Sequence, residues 1–199
     1  EVDILVGTQM VTKGLDFDRV GLVGIMSADN LLSYPDFRAN ERAFQLIEQV
    51  AGRTGRRTSK GKVVIQAMKP RHSIIQLALN HDFTGMQAKE LSIRQEYQYP
   101  PFVRLITITL KHRDQKLLQR AAGEFARSLH GKIGDRFLGP EFAPIARLKN
   151  LYQMQIIVKV DKGSIGAKVR ERIKKSHQEV LLTPDFNRVK VVFDVDPNS

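Results

Sequence analysis

The chain has 199 residues, 42% hydrophobic and 27% charged, a globular composition that argues against a disordered chain and suffices for one large domain or two small ones. It has no cysteine, which excludes a disulfide framework and a thiolate metal site, and no apolar run near the ~20 residues needed to cross a bilayer. The formal charge is +11 and unevenly spread: residues 1–99 hold 13 Lys and Arg against 11 Asp and Glu, whereas residues 100–199 hold 19 against 10. The basic half favours a polyanion such as nucleic acid or an acidic protein tail, although solubility alone also selects basic surfaces.

The five histidines, at 72, 81, 112, 130 and 177, show no metal-ligand spacing, so no metal site is expected in this chain. The first residues carry no signal-sequence pattern, and the absence of cysteine fits a reducing, cytoplasmic compartment. Because a strand pattern begins directly after Glu1, the expectation is a piece cut from a longer protein.

In chain order, residues 4–6, 20–26 and 62–68 are continuous β-rich runs, as for strands buried on both faces of a parallel sheet. Residues 39–52 predict an amphipathic helix with Phe44, Ile47, Val50 and Ala51 on its apolar stripe. Helical patterns follow at 73–80 and 83–97, and the run YPPF at 99–102 then marks a domain boundary, because proline cannot continue a helix. Beyond it come a strand at 104–111, a helix at 115–130, a Gly/Pro-rich loop at 138–144, a strand at 154–160, a helix at 164–179 and a strand at 189–195. The expected fold is α/β: a partial parallel-sheet unit over 1–99, then a small split β-α-β domain over 100–199 with helices on one face.

Two stretches carry chemistry. In QVAGRTGRR, residues 49–57, helical spacing puts Gln49, Arg53 and Arg56 on one face, opposite the apolar stripe, while Gly52 and Gly55 let another surface approach. Guanidinium groups match phosphate oxygens in bidentate fashion, so a triphosphate is the natural target; the plain alternative is a solvated basic helix end. In ILVGTQMVTKGLDF, residues 4–17, Thr8 and Gln9 follow a predicted strand and Lys13, Gly14 and Asp16 make a turn at its C-terminal end, where open α/β sheets bind ligands. There too a plain reading stands: strand-end capping for Thr8 and Gln9, a turn residue for Asp16.

Together these segments resemble motifs V and VI of superfamily 2 helicases, in the right order and at a plausible separation. Residues 31–57, LLSYPDFRANERAFQLIEQVAGRTGRR, are similar to a block of the PriA family of primosomal replication-restart helicases. The likeness continues through GKVVIQ at 61–66, YPPF at 99–102, Gly139-Pro140, Ala143-Pro144-Ile145 and the DVDP ending at 194–197, and so spans nearly all of the chain.

The resemblance implies a RecA-like second helicase lobe, present in part, followed by a ferredoxin-like C-terminal domain. The implied activity is ATP-dependent 3′ to 5′ unwinding of stalled or branched replication forks that leads to primosome assembly. It makes Arg53 and Arg56 arginine fingers toward the ATP γ-phosphate, whose loss costs about 10³-fold or more in rate. Gln49, Gly14 and Asp16 become nucleotide-facing residues, Asp16 at the ribose, while Thr8, Gln9 and Lys13 lie toward the nucleic-acid backbone. Implied cofactors are ATP with Mg²⁺, and zinc in the longer protein only. No lysine loop of the form G-x-x-x-x-G-K-[ST] and no DExH motif occurs in these residues, so the chain is expected not to hydrolyse ATP unaided. With its lobe incomplete, an exposed apolar edge and poor solubility are expected.

For the basic half the resemblance implies contact with branched and single-stranded DNA, with single-stranded DNA-binding protein and with other primosome proteins, and no membrane. Arg147, Lys149, Lys159 and Lys162 are expected around one loop and strand, with Tyr152 available for base stacking. Arg170, Arg172, Lys174 and Lys175 crowd one helix, where a solvated face and DNA contact compete as readings. Two other functions stay open: another superfamily 2 motor, which would not require PDFRANER or DVDP, and a non-catalytic nucleic-acid or protein adaptor.

Overall fold

The computed structural model describes residues 3–8, 20–52 and 61–197. The chain divides into two units, Glu1–Ile93 and Arg94–Ser199.

In the first unit, strand β1 (Leu22–Ile25) pairs in parallel with β2 (Lys62–Ile65), Leu22 opposite Lys62 and Ile25 opposite Ile65. Helix α1 (Asp29–Leu32) follows β1, and α2 (Ala39–Ala51) precedes β2. The predicted stripe of α2 is the buried one: Phe44, Ile47 and Val50 are at most 7% exposed. Phe44 and Ile47 cluster with Ile74 and Ala78 of α3 (Ser73–Leu79) and Met86 of α4 (Phe83–Glu96), with Ile25 and Ile65 packed against them. Each such side chain contributes about 1.5–3 kcal/mol on burial. The Asp29 carboxylate accepts the Met68 N–H at 2.7 Å and the Lys69 N–H at 3.4 Å, tying the chain after β2 to α1.

Two expectations fail here. Residues 4–6 form no strand; Ile4 and Val6 are 82% and 84% exposed, and no strand among the described residues offers them a ladder. Nor are β1 and β2 buried on both faces: Ile25 and Ile65 face the helices, while Leu22 and Val64 on the other face are exposed. Apolar runs identify strands, but burial of the second face needs a layer that the described residues do not supply.

The second unit runs β-α-β-β-α-β: β3 (Arg104–His112), α5 (Gln115–Ile133), β4 (Phe137–Leu148), β5 (Leu151–Val160), α6 (Ser164–Ser176) and β6 (Lys190–Val195), with a π-helical turn His177–Leu181 after α6. The sheet order is β4-β5-β3-β6 and every pairing is antiparallel. Alternation puts Ile106, Ile108 and Leu110 of β3 and Ile156, Val158 and Val160 of β5 on one face, under Leu118, Ala122, Phe125 and Leu129 of α5 and Val169 and Ile173 of α6. Asp114 caps α5 by accepting the Leu117 N–H at 3.1 Å, and Gly134 ends that helix at a φ of 64°. The helices are joined by a Ser128–Ser176 hydroxyl bond of 3.0 Å, Ser176 being fully buried.

A third expectation is corrected in this unit: the Gly/Pro-rich segment predicted as a loop is most of β4. As the edge strand, β4 pairs along one side only among the described residues, so its two prolines cost few ladder bonds. Gly139, at a φ of 93°, sits where a Cβ would come within 2.6 Å of the Gln155 carbonyl oxygen, and the register slips there between Leu138 and Glu141.

Candidate nucleic-acid interface

Of the predicted nucleotide-facing set, Gln49 is described: it lies two residues before the end of α2, half-buried, on the turn anchored by Ile47 and Val50. Thr8 is exposed on irregular chain. Gln9, Lys13, Gly14, Asp16, Arg53 and Arg56 lie outside the described residues.

The basic residues of the second unit are described in full. The β4–β5 hairpin closes through Lys149 and Asn150 alone, both in the left-handed region with φ of 49° and 62°, the pattern of a two-residue turn whose twist matches its strands. Leu148 and Leu151 form the last pair before the turn, and Arg147 stands opposite Tyr152. The Arg147 guanidinium lies 5.1 Å from the Tyr152 ring centroid and donates to Asn150 Oδ1 at 3.4 Å. The ring is thereby engaged by a guanidinium from within the domain, and Tyr152 is half-buried against the core.

Antiparallel register then brings distant residues to the hairpin end. Tyr152 pairs with His112 at the end of β3, and Lys111 pairs with both Gln153 of β5 and Lys190 at the start of β6. Arg113 and Lys116 follow β3, and Arg188 precedes β6. Lys111, Arg113, Lys116, Arg147, Lys149, Arg188 and Lys190 therefore share one end of the sheet, and none of them makes an ion pair among the described residues. Asp114 sits among them, but its carboxylate is turned into the α5 N-terminus; the Leu117 N–H bond holds its pKa below the usual carboxylate value, helped by His112 and Lys116.

The far end of the sheet is different. Arg104 binds Asp196 at 2.5 Å and Arg136 pairs with Asp161. Lys159 donates to the Tyr97 carbonyl at 2.7 Å and lies 4.5 Å from the Tyr99 ring centroid, and burial holds its pKa below the ordinary lysine value. Lys162, just beyond β5, is exposed there. The cluster expected around one loop and strand is thus split: Tyr152 and Lys159 are roughly 23 Å apart along β5 at about 3.3 Å per residue. Of the helical cations, Arg172 donates to the Lys132 carbonyl at 2.8 Å and Lys175 pairs with Glu171 at 3.2 Å. Arg170 and Lys174 rim an apolar groove of about 240 Å³ with Ile106, Ile173, His177, Phe193 and Val195.

Sequence reasoning missed Lys111, Arg113, Lys116, Arg188 and Lys190 as companions of the hairpin. The signal was present in KHRDQK directly after one alternating run and RVK directly before another, but it becomes an address only once the strands are ordered.

Residues 95–198 match the model of the family described as the primosomal protein N C-terminal domain. Over 195 residues the chain is 38% identical to the replication restart protein PriA of Bacillus subtilis (strain 168), covering 94% of this chain and 24% of that protein. PriA of a Synechocystis species is 38% identical over 203 residues, covering all of this chain and 23% of the relative, and PriA of Treponema pallidum is 36% identical over 199, covering 99% and 29%. The chain spans about a quarter of the length of these curated relatives. A family match over half of the chain and this identity along its whole length lead to one conclusion: the chain belongs to the PriA family of replication restart proteins and carries that family's C-terminal domain.

Proposed function

We infer that the chain is the C-terminal part of an ATP-dependent 3′ to 5′ DNA helicase of replication restart, and that its second unit grips DNA through the hairpin end of the sheet. What supports the second part is a single contrast: seven cations at the hairpin end without carboxylate partners among the described residues, against Arg104, Arg136 and Lys159 satisfied at the other. Phosphate oxygens are the ligand that rewards such a cluster, because each neutralised phosphate releases counterions. Branched and single-stranded DNA are the substrates, and single-stranded DNA-binding protein and other primosome proteins are the partners of the longer protein in the cytoplasm. No helix among the described residues is long and apolar enough to cross a membrane.

The first unit is read as part of a RecA-like second lobe. Its parallel β1–β2 pair and the one-sided anchoring of α2, which leaves Gln49 away from the core, fit a helix that presents residues to a nucleotide. Gln49, Gly14, Asp16, Arg53 and Arg56 would hold ATP with Mg²⁺ in the longer protein, and zinc belongs to that protein outside this chain. The nucleotide supplies phosphoryl-transfer energy when bound; the two arginines offset charge at its terminal phosphate.

Fluorescence titration of forked, single-stranded and duplex DNA at several salt concentrations tests the DNA-binding part. If about five to seven phosphates are neutralised, the log–log salt slope is roughly −4 to −6. Salt-insensitive binding, or none, would contradict it. In the longer protein, Arg53→Ala or Arg56→Ala should lower ATPase activity by about 10³-fold with fork binding retained; equal loss of both would remove the arginine-finger assignment.

A further inference from the structure

Neither the phosphate grip nor the nucleotide face uses the run PDFRANER at residues 35–42. It builds the entry to α2. The Asp36 carboxylate, 6% exposed, accepts the Arg38 N–H at 2.9 Å and pairs with the Arg42 guanidinium at 3.1 Å. Four residues on, Asn40 Nδ2 donates to Glu90 Oε1 of α4 at 2.9 Å, and Glu90 is only 4% exposed.

Asn40 is a polar residue on an apolar stripe. At 3.6 residues per turn it lies within about 40° of Phe44 and about 20° of Ile47, and about 180° from Gln49. The facing helix is built alike: Glu90 stands one turn from Met86, which is buried with Phe44 and Ile47, and the Phe44 and Phe83 rings lie 6.3 Å apart. Such a stripe repeats every three to four residues and is satisfied about equally well after a slip of one turn, ~5.4 Å, because apolar contact is not directional. A hydrogen bond to a buried carboxylate is directional. Slipped by a turn, Asn40 would lie among apolar side chains and Glu90 would lose its amide donor, a cost that the present register avoids. A polar pair in an apolar seam selects one register in the same way where helices have a choice of several.

We propose that the Asn40–Glu90 pair sets the axial register of α2 against α4 and so positions Gln49, nine residues and about 13 Å along the same helix, at the nucleotide. Asn40 and Glu90 are positioning residues, and neither touches ATP. The catalytic half of the proposal rests on the nucleotide reading of α2 above; the register half does not.

Two measurements separate the halves. In the 199-residue chain, which has no native cysteine, spin labels on Gln45→Cys and Gln87→Cys, both exposed positions, report the distance between α2 and α4. The chain with Asn40 and Glu90 intact should give one narrow distance. Asn40→Leu, which keeps the stripe apolar and removes the bond, should broaden it or shift it by up to about 5 Å; if melting shows that variant unfolded, Asn40→Ser serves the same purpose. Asn40→Asp sets two carboxylates in contact and should do likewise, and adding Glu90→Gln, which restores the bond with donor and acceptor exchanged, should bring the narrow distance back. A narrow, unchanged distance without the bond, or a swap that fails to restore it, overturns the register role. In the longer protein the bond-breaking variants should lower ATPase kcat by about 10- to 100-fold, with recovery in the swap. A shifted register with unchanged kcat overturns the link to Gln49. A wild type that hydrolyses no ATP overturns the nucleotide reading, and the label distances still decide the register.

Discussion

The two ends of the four-stranded sheet are built from the same strands and share one core, yet they treat positive charge in opposite ways. At the far end, Arg104 and Arg136 are spent on Asp196 and Asp161, and Lys159 on a carbonyl and an aromatic ring. At the hairpin end, cations from three strand ends and one turn converge with no carboxylate partner among the described residues, Arg147 resting on the Tyr152 ring and the Asn150 amide oxygen. Exposed ion pairs are worth only about 0–1 kcal/mol each, so the difference is not chiefly one of stability. It is one of field: a paired cation is invisible a few ångströms away, whereas an unpaired cluster draws a polyanion over a Debye length of about 8 Å.

The largest effect comes from removing what the two ends share. Phe125 is fully buried beneath both, and Phe125→Ala should cost about 3–5 kcal/mol, enough to unfold the second unit or bring it near its midpoint. Urea denaturation checks this, and DNA binding should fail with the fold; a stable, fully binding variant would mean that the sheet does not organise the interface.

A smaller effect lies between the ends. His177 packs edge-on against Phe193 at 5.5 Å, opposite Ile108 at mid-sheet, and burial holds its pKa below the ordinary histidine value. Arg170 and Lys174 line the same groove. The neutral ring is therefore favoured on folding, and its contribution is fully present above a pH of about 6.5 and is lost as pH falls through the lower folded pKa. Melting temperatures at pH 7.5 and 5.0 should show wild type losing more than His177→Leu. Parallel losses would place the pH sensitivity elsewhere.

Much of this fold was legible before any coordinates. The alternation of β3, the 3.6-residue stripe of α2 and the helical pattern at 115–130 that became α5 are local patterns, and each matches its element to within a few residues. Strand β4 was not legible, because glycine and proline ordinarily mark loops, and only an edge position with a bulge against Gln155 tolerates them. Nor could the run at 4–6 be told from a strand, since apolar residues report a wish for burial and not the partner that satisfies it. The site divided in the same way. That Arg147, Lys149 and Tyr152 stand together follows from their nearness in sequence, whereas Lys111 and Lys190 join them only through register, and Lys159 leaves them for the same reason.

The most direct test of the contrast reverses charge at each end in turn. Lys111→Glu with Lys190→Glu should reduce fork affinity by about 100-fold and lower the magnitude of the salt slope by about 2, one unit per lost phosphate contact. Arg104→Glu with Arg136→Glu, at the far end, should leave affinity within about threefold and the slope unchanged, because those cations are already neutralised. Equal losses from the two double variants, in proteins shown to be folded, would contradict the assignment of the interface to one end of the sheet.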